Sequence, residues 1–167
     1  VGFQVHEVTA LYLINLGVIM IVAPLLGRAV GYFGERNTLS FEYLGLTLVF
    51  LAYGGLYYFS WGVAVAAFLY VVDHIFFGLA LAKKTYFQKI SDPGDIAPTA
   101  AVSFTINHIA AVFLPAALGY LWLASPQAVF LLAALMAMIS LILSLLIPRH
   151  PGPGHETILT PRSLPAT

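Results

Sequence analysis

Two pairs of polar residues interrupt long apolar stretches of this sequence. Asp73 and His74 stand side by side within YVVDHIFFGL, and Asn107 and His108 stand side by side within a later apolar stretch. Carboxyl and imidazole groups take up and release protons, and the imidazole does so near neutral pH. Ionisable residues inside apolar helices usually face a bundle interior or a watery cavity, and they often mark ion or substrate paths. Asp73 is therefore a candidate protonatable or cation-binding group, and the other three residues are its candidate partners.

The composition of the whole chain is that of an integral membrane protein. Its 167 residues are 60% hydrophobic and 8% charged, whereas soluble domains have about 45–50% apolar and 25% charged residues. The net charge of zero offers a nucleic-acid partner no electrostatic support. The chain has no cysteine, which excludes disulfides, thiolate chemistry and cysteine metal sites. We find no Ser/His/Asp spacing, phosphate-binding loop or metal-ligand cluster in the aqueous segments, so the sequence predicts neither an enzyme nor a cofactor.

Five apolar stretches are each long enough to cross the hydrocarbon core of a bilayer, which takes about 20 helical residues. They lie near residues 8–27, 39–59, 61–82, 99–122 and 126–147. None has the alternating units of about ten residues that are typical of a barrel strand. The sequence therefore predicts an all-α, polytopic membrane helix bundle over residues 1–147. Residues 148–167 are rich in Pro and Gly, and we expect them to form a disordered cytoplasmic tail.

The distribution of basic residues tests this count of spans. With five spans, all seven fall on one side of the membrane: Arg28, Arg36, Lys83, Lys84, Lys89, Arg149 and Arg162. Loops rich in Lys and Arg face the cytoplasm. We therefore expect a protein of the bacterial cytoplasmic membrane, with the first residues on the outer side and the C-terminus in the cytoplasm. The two polar pairs then lie at nearly the same depth near the midplane, and Asn15 of the first span lies somewhat further outward. Glu42, near the inner end of the second span, is expected to pair with Arg28 or Arg36.

The loop between the first two predicted spans reads GRAVGYFGER, and it resembles an inner loop of the major facilitator superfamily. That loop has the general form G-x-x-x-D-R-x-G-R-R. Three positions match it (Gly27, Gly34 and Arg36) and three depart from it (Gly31, Tyr32 and Glu35). The resemblance extends over residues 1 to about 147, in which the five spans resemble transmembrane helices 8–12 of such a transporter. It implies that a preceding N-terminal portion belongs to the same protein.

This resemblance implies a secondary active transporter that works by alternating access and moves a small solute with proton coupling. The third span would resemble a helix that lines the central cavity, and the fourth would lie beside it. Asp73, His74, Asn107, His108 and Asn15 would then border the path of the substrate or proton. The implied partners are the lipid bilayer, the N-terminal half of the same transporter and a small substrate that the sequence does not identify.

Two other functions fit the same residues. His74 and His108, on neighbouring helices at similar depth, could be the axial ligands of a haem in a membrane redox protein. A polytopic protein that transports nothing, such as a scaffold or sensor, would also have these spans. In that protein, the Asp73–His74 pair and Asn15 would only join helices by hydrogen bonds.

Overall fold

The structure is a computed structural model that describes residues 4–56, 59 and 62–160. In chain order its helices are α1 (Val5–Gly55), α2 (Val63–Gly78), α3 (Leu81–Ile90), α4 (Pro93–Ala124) and α5 (Pro126–Leu145). Within the described ranges no strand forms, although one isolated bridge joins Gly152 to His155. The all-α prediction is therefore confirmed. The predicted turn between residues 59 and 61, and Arg162 in the tail, lie outside the described residues.

Four helical stretches are long and apolar enough to cross a membrane. They are α1, the unit Val63–Ile90 that comprises α2 and α3, α4 and α5. Residues 79–80, which separate α2 from α3, form a tight turn in which Leu79 and Ala80 donate backbone hydrogen bonds three residues back. The described part of the chain thus has the helices of a membrane protein.

Helix α1 is interrupted at Gly34, whose φ of 78° and ψ of 163° lie outside the helical range. This conformation is almost restricted to glycine, because a Cβ atom would clash with the backbone. The 51 residues of α1 are therefore two helical segments, 5–33 and 35–55, that meet at one glycine.

The two segments of α1 pack on α2 in opposite directions. In the first segment, the Asn15 side chain reaches the Tyr70 carbonyl, and Leu26 lies against Gly78 further along both helices. In the second segment the direction is opposite. Phe41 packs on Phe76 with ring centroids 5.5 Å apart, whereas Glu35, which comes before Phe41, contacts Lys89, which comes after Phe76. The chain therefore turns back on itself at Gly34, and α2 lies alongside both arms.

Small residues allow these helices to approach closely. A Cβ atom at Gly45 would overlap the ring of Phe76, and one at Gly78 would lie 2.7 Å from the Leu26 side chain. Such close approaches at glycine are typical of membrane helix bundles, in which van der Waals packing and not water exclusion holds helices together.

Helix α3 lies where the sequence predicts only the end of a span and a charged loop. Its residues Ala82 and Tyr86 pack on a small apolar core at one end of the bundle, formed by Val30, Leu39 and Ile147. Helix α4 begins at Pro93, before the predicted residue 99, because proline suits the first turn of a helix. The helices extend beyond the predicted limits because tertiary packing stabilises helical residues that are too polar to be part of an apolar stretch.

The segment after α5, for which the composition predicts disorder, makes two hydrogen bonds to the helices. The hydroxyl of Tyr86 donates to the carbonyl of Glu156 at 2.6 Å, and the backbone N–H of Ile158 donates to the carbonyl of Leu146 at 2.9 Å. Residues 148–160 thus lie against α3 and the end of α5.

Helix α4 packs mainly on α5 and has no buried residue along its described length. Large apolar side chains such as Val112, Phe113 and Leu123 are exposed on it. A helix that is apolar all round and uncovered needs lipid or another protein surface around it.

Substitution of Gly34 by alanine is expected to destabilise the fold by about 1–3 kcal/mol, since alanine is strained at this φ and ψ. Gly31→Ala is the matched control, because Gly31 is helical and a Cβ there meets no atom within 4 Å. The free energy of unfolding of both variants can be measured in mixed micelles. Equal stability of the two variants would contradict the reversal at Gly34.

Candidate functional site

Asp73 and His74 are both half-buried on α2. Their side chains are 25% and 38% exposed, and the distance from His74 Nδ1 to Asp73 Oδ2 is 3.9 Å. This distance suits a weak electrostatic contact but is too long for a hydrogen bond. The Nδ1 atom of His74 is buried and has no hydrogen-bond partner among the described residues, while the His74 ring packs on the Tyr70 ring with centroids 4.8 Å apart. The two side chains therefore do not satisfy each other.

Asn15 joins this pair from the first segment of α1. It is buried, its Nδ2 donates to the Tyr70 carbonyl at a long 3.5 Å, and its Oδ1 has no partner among the described residues. We call Asn15, Tyr70, Asp73 and His74 the polar layer. It contains a carboxyl, an imidazole and a phenol, all groups that can hold or pass a proton.

Asn107 and His108 are exposed on α4. His108 Nδ1 lies 2.9 Å from the carbonyl of Phe104, and its ring packs on the Phe104 ring with centroids 3.9 Å apart. Both contacts stay within α4, which packs mainly on α5. The described contacts thus bring Asn15 to the Tyr70 carbonyl, three residues before Asp73 on α2, but no described contact joins Asn107 or His108 to α2. They do not assemble His74 and His108 as two ligands of one haem.

Two buried carboxylates lie on the second segment of α1, where it contacts α3. Glu35 is 3% exposed, and its Oε1 is 2.6 Å from Lys89 Nζ. Glu42 is 1% exposed, its Oε1 is 3.7 Å from Lys83 Nζ, and its Oε2 has no hydrogen-bond partner in the described part of the chain. The prediction that Glu42 pairs with an arginine of the loop is wrong, because α3 extends as a helix along α1 and presents Lys83 instead.

The spacing of these glutamates was the signal that sequence reasoning missed. Glu35 and Glu42 are seven residues apart, which places them on the same face of a helix two turns apart. Comparison with the loop motif instead treated Glu35 as a replaced basic residue. Lys83 also lies 5.6 Å from the centroid of the Tyr43 ring, so its charge is shared between a carboxylate and an aromatic face.

The three residues that match the loop motif have different surroundings. Gly34 forms the chain reversal, whereas a Cβ at Gly27 would meet no atom within 4 Å. Arg36 borders a half-open cavity of about 510 Å³ at this end of the bundle. The structure therefore gives a steric reason for glycine at Gly34 and none at Gly27.

Comparison with known proteins finds no family model, no curated protein and no solved structure that matches this chain. Within the described ranges, no group of three or more His, Cys, Asp or Glu residues could hold a metal ion. The chemical capacity of the site thus rests on the geometry of the polar layer and of the two glutamate–lysine pairs.

Replacement of Lys89 by glutamine is expected to lower the free energy of unfolding by about 1–3 kcal/mol, because it leaves the buried Glu35 carboxylate without a cation. This loss of stability is small for a buried ion pair, because the Lys89 side chain is itself 53% exposed to solvent. Chemical unfolding in micelles measures the change.

The double variant Glu35→Gln/Lys89→Gln should recover most of the lost stability, because a buried amide costs less than an unpaired carboxylate. Lys84→Gln is the control, since Lys84 is exposed on the same helix. The pairing would be refuted by a double variant that is less stable than Lys89→Gln.

Proposed function

We propose that this chain is part of a secondary active transporter of the major facilitator type, which moves a small solute across a bacterial cytoplasmic membrane with proton coupling. The observation that supports this proposal is the Asp73 carboxyl, which is half-buried in an apolar helix and makes no hydrogen bond among the described residues. Asp73 takes up and releases the coupling proton, and His74 and the Tyr70 ring that packs on it are its neighbours on α2.

The energetics favour a functional Asp73. A charged side chain at the centre of a membrane helix costs about 2.5–3.5 kcal/mol on the insertion scale. Glu35 and Glu42 have lysines that offset this kind of cost. Among the described residues, the basic group within ion-pair range of Asp73 is an imidazole at 3.9 Å, which carries charge only when protonated. Asp73 thus lacks the lysine partner that Glu35 and Glu42 have, and ionisable residues inside membrane helices commonly mark transport paths.

Five membrane crossings, with both segments of α1 as separate spans, belong to this proposal. At about 1.5 Å per residue, segments 5–33 and 35–55 are about 44 and 32 Å long, and each can cross a hydrocarbon core of about 30 Å. The cavity at the junction of the two segments is lined by Arg36, Lys89 and Arg149 at one end of the bundle, as expected if that end faces the cytoplasm. The uncovered surface of α4 is available to the N-terminal half of the same transporter.

Single-cysteine variants should show this topology, because the 167 residues contain no native cysteine. Tyr32→Cys at the reversal and Lys84→Cys on α3 are expected to react with an impermeant maleimide only from the cytoplasmic side. Gln127→Cys, at the α4–α5 turn, should react only from the opposite side. Labelling of Tyr32→Cys and Gln127→Cys from the same side would refute five crossings.

Substitution of Asp73 by asparagine in the full-length protein is expected to reduce proton-coupled transport to background while expression and folding persist, because an amide cannot release a proton. Asp95→Asn is the matched control, since Asp95 is exposed in the first turn of α4 and should tolerate the change. Transport is measured in proteoliposomes with an imposed pH gradient. Undiminished coupled transport by Asp73→Asn would refute the role of Asp73.

A further inference from the structure

The cavity at the chain reversal has walls from three distant parts of the sequence. Its volume is about 510 Å³, and it is half open to the surroundings. Residues 31–37 of α1 form one wall, Lys89 at the end of α3 forms another, and residues 149–151 after α5 form the third. Specific small-molecule sites commonly have volumes of about 300–1,000 Å³. The fold therefore builds a concave site here that the polar layer does not use.

The charge of this cavity is positive. Glu35 and Lys89 neutralise each other at 2.6 Å. Arg36 and Arg149 line the same cavity, and neither has a carboxylate within ion-pair distance among the described residues. His150 adds a third group that can carry a positive charge. Two uncompensated arginines facing one space favour an anion.

Guanidinium groups favour a particular kind of anion. Their planar arrangement of N–H donors matches the oxygens of phosphate and carboxylate in paired hydrogen bonds. The first turn of the segment after Gly34 also lies in the cavity wall, and backbone N–H groups at the start of a helix attract the same anions. A phosphate group is therefore complementary to the cavity.

The position of the cavity indicates the source of this phosphate. It lies at the end of the bundle, where α1 reverses and α5 has ended, and the aromatic rings of Tyr32 and Phe33 at its rim are exposed. Exposed aromatic rings at the ends of apolar helices are typical of the headgroup region of a bilayer. We propose that this cavity binds the phosphate group of an anionic phospholipid headgroup. This proposal does not depend on transport or on Asp73.

Native mass spectrometry of the full-length protein in neutral detergent, titrated with phosphatidylglycerol or phosphatidylcholine, tests the proposal. The unmodified protein should bind phosphatidylglycerol at least about tenfold more tightly than phosphatidylcholine. The double variant Arg36→Gln/Arg149→Gln should lose at least about tenfold in affinity for phosphatidylglycerol, which corresponds to roughly one charge-assisted hydrogen bond.

The matched control is Arg28→Gln/Lys84→Gln, which removes two positive charges from exposed positions outside the cavity. Its affinity for phosphatidylglycerol should stay within about twofold of the unmodified protein, and size-exclusion profiles should show that both double variants fold. Equal loss in the two double variants, or equal binding of the two lipids, would overturn the proposal.

A further arm separates lipid from free phosphate. Inorganic phosphate at low millimolar concentration should leave bound phosphatidylglycerol in place. Displacement of the lipid by inorganic phosphate, with phosphate binding that is lost in Arg36→Gln/Arg149→Gln, would retain the phosphate chemistry and overturn the lipid source.

Discussion

The chain reversal at Gly34 is the constraint on which the other contacts depend. Because the two segments of α1 run in opposite directions, both can lie along the unit formed by α2 and α3. The first segment brings Asn15 to the middle of α2, and the second brings Glu35 and Glu42 to α3. A continuous straight helix of 51 residues would be about 76 Å long and could place only one of these sets against α2. A single backbone conformation at glycine therefore assembles both the polar layer and the glutamate–lysine pairs.

The three carboxyls of this bundle core differ in how their charge is balanced. Glu35 and Glu42 are almost fully buried and each faces a lysine. Buried ion pairs add little net stability, because desolvation consumes most of the Coulombic gain, but an unpaired buried charge is costly. Sliding α3 by one turn along α1 would separate both pairs at once, so they define the register of the two helices. Asp73 is less buried and pairs with no lysine among the described residues, so no such pair fixes the register of α2.

Hydropathy was sufficient to predict the helical class and the apolar stretches, because a membrane helix must satisfy its backbone internally and cover itself with apolar side chains. The glycine of the reversal was also visible as part of the loop pattern. Neither the partner of Glu42 nor the packing of residues 148–160 could be predicted from hydropathy, since both depend on α3. That helix is too polar to be recognised as part of a span. Equal depth suggested that Asn107 and His108 would join Asp73, but depth does not determine how far a helix lies from its neighbours or which way it is rotated. The structure packs α4 on α5 instead.

The surroundings of α4 bear on what completes the bundle. His108 contacts the carbonyl of Phe104 within its own helix, whereas the exposed Asn107 side chain makes no hydrogen bond among the described residues. If α4 crosses a bilayer, as proposed, an amide that faced only lipid would lose its hydrogen bonds to water without replacement, at a cost of several kcal/mol. Such a residue is tolerable against another protein surface or a water-filled cavity. Asn15 Oδ1 and His74 Nδ1 are also without hydrogen-bond partners among the described residues, but these atoms are buried on α1 and α2. The exposed amide of α4 and the buried polar atoms of α1 and α2 all call for polar partners, either water or further polypeptide.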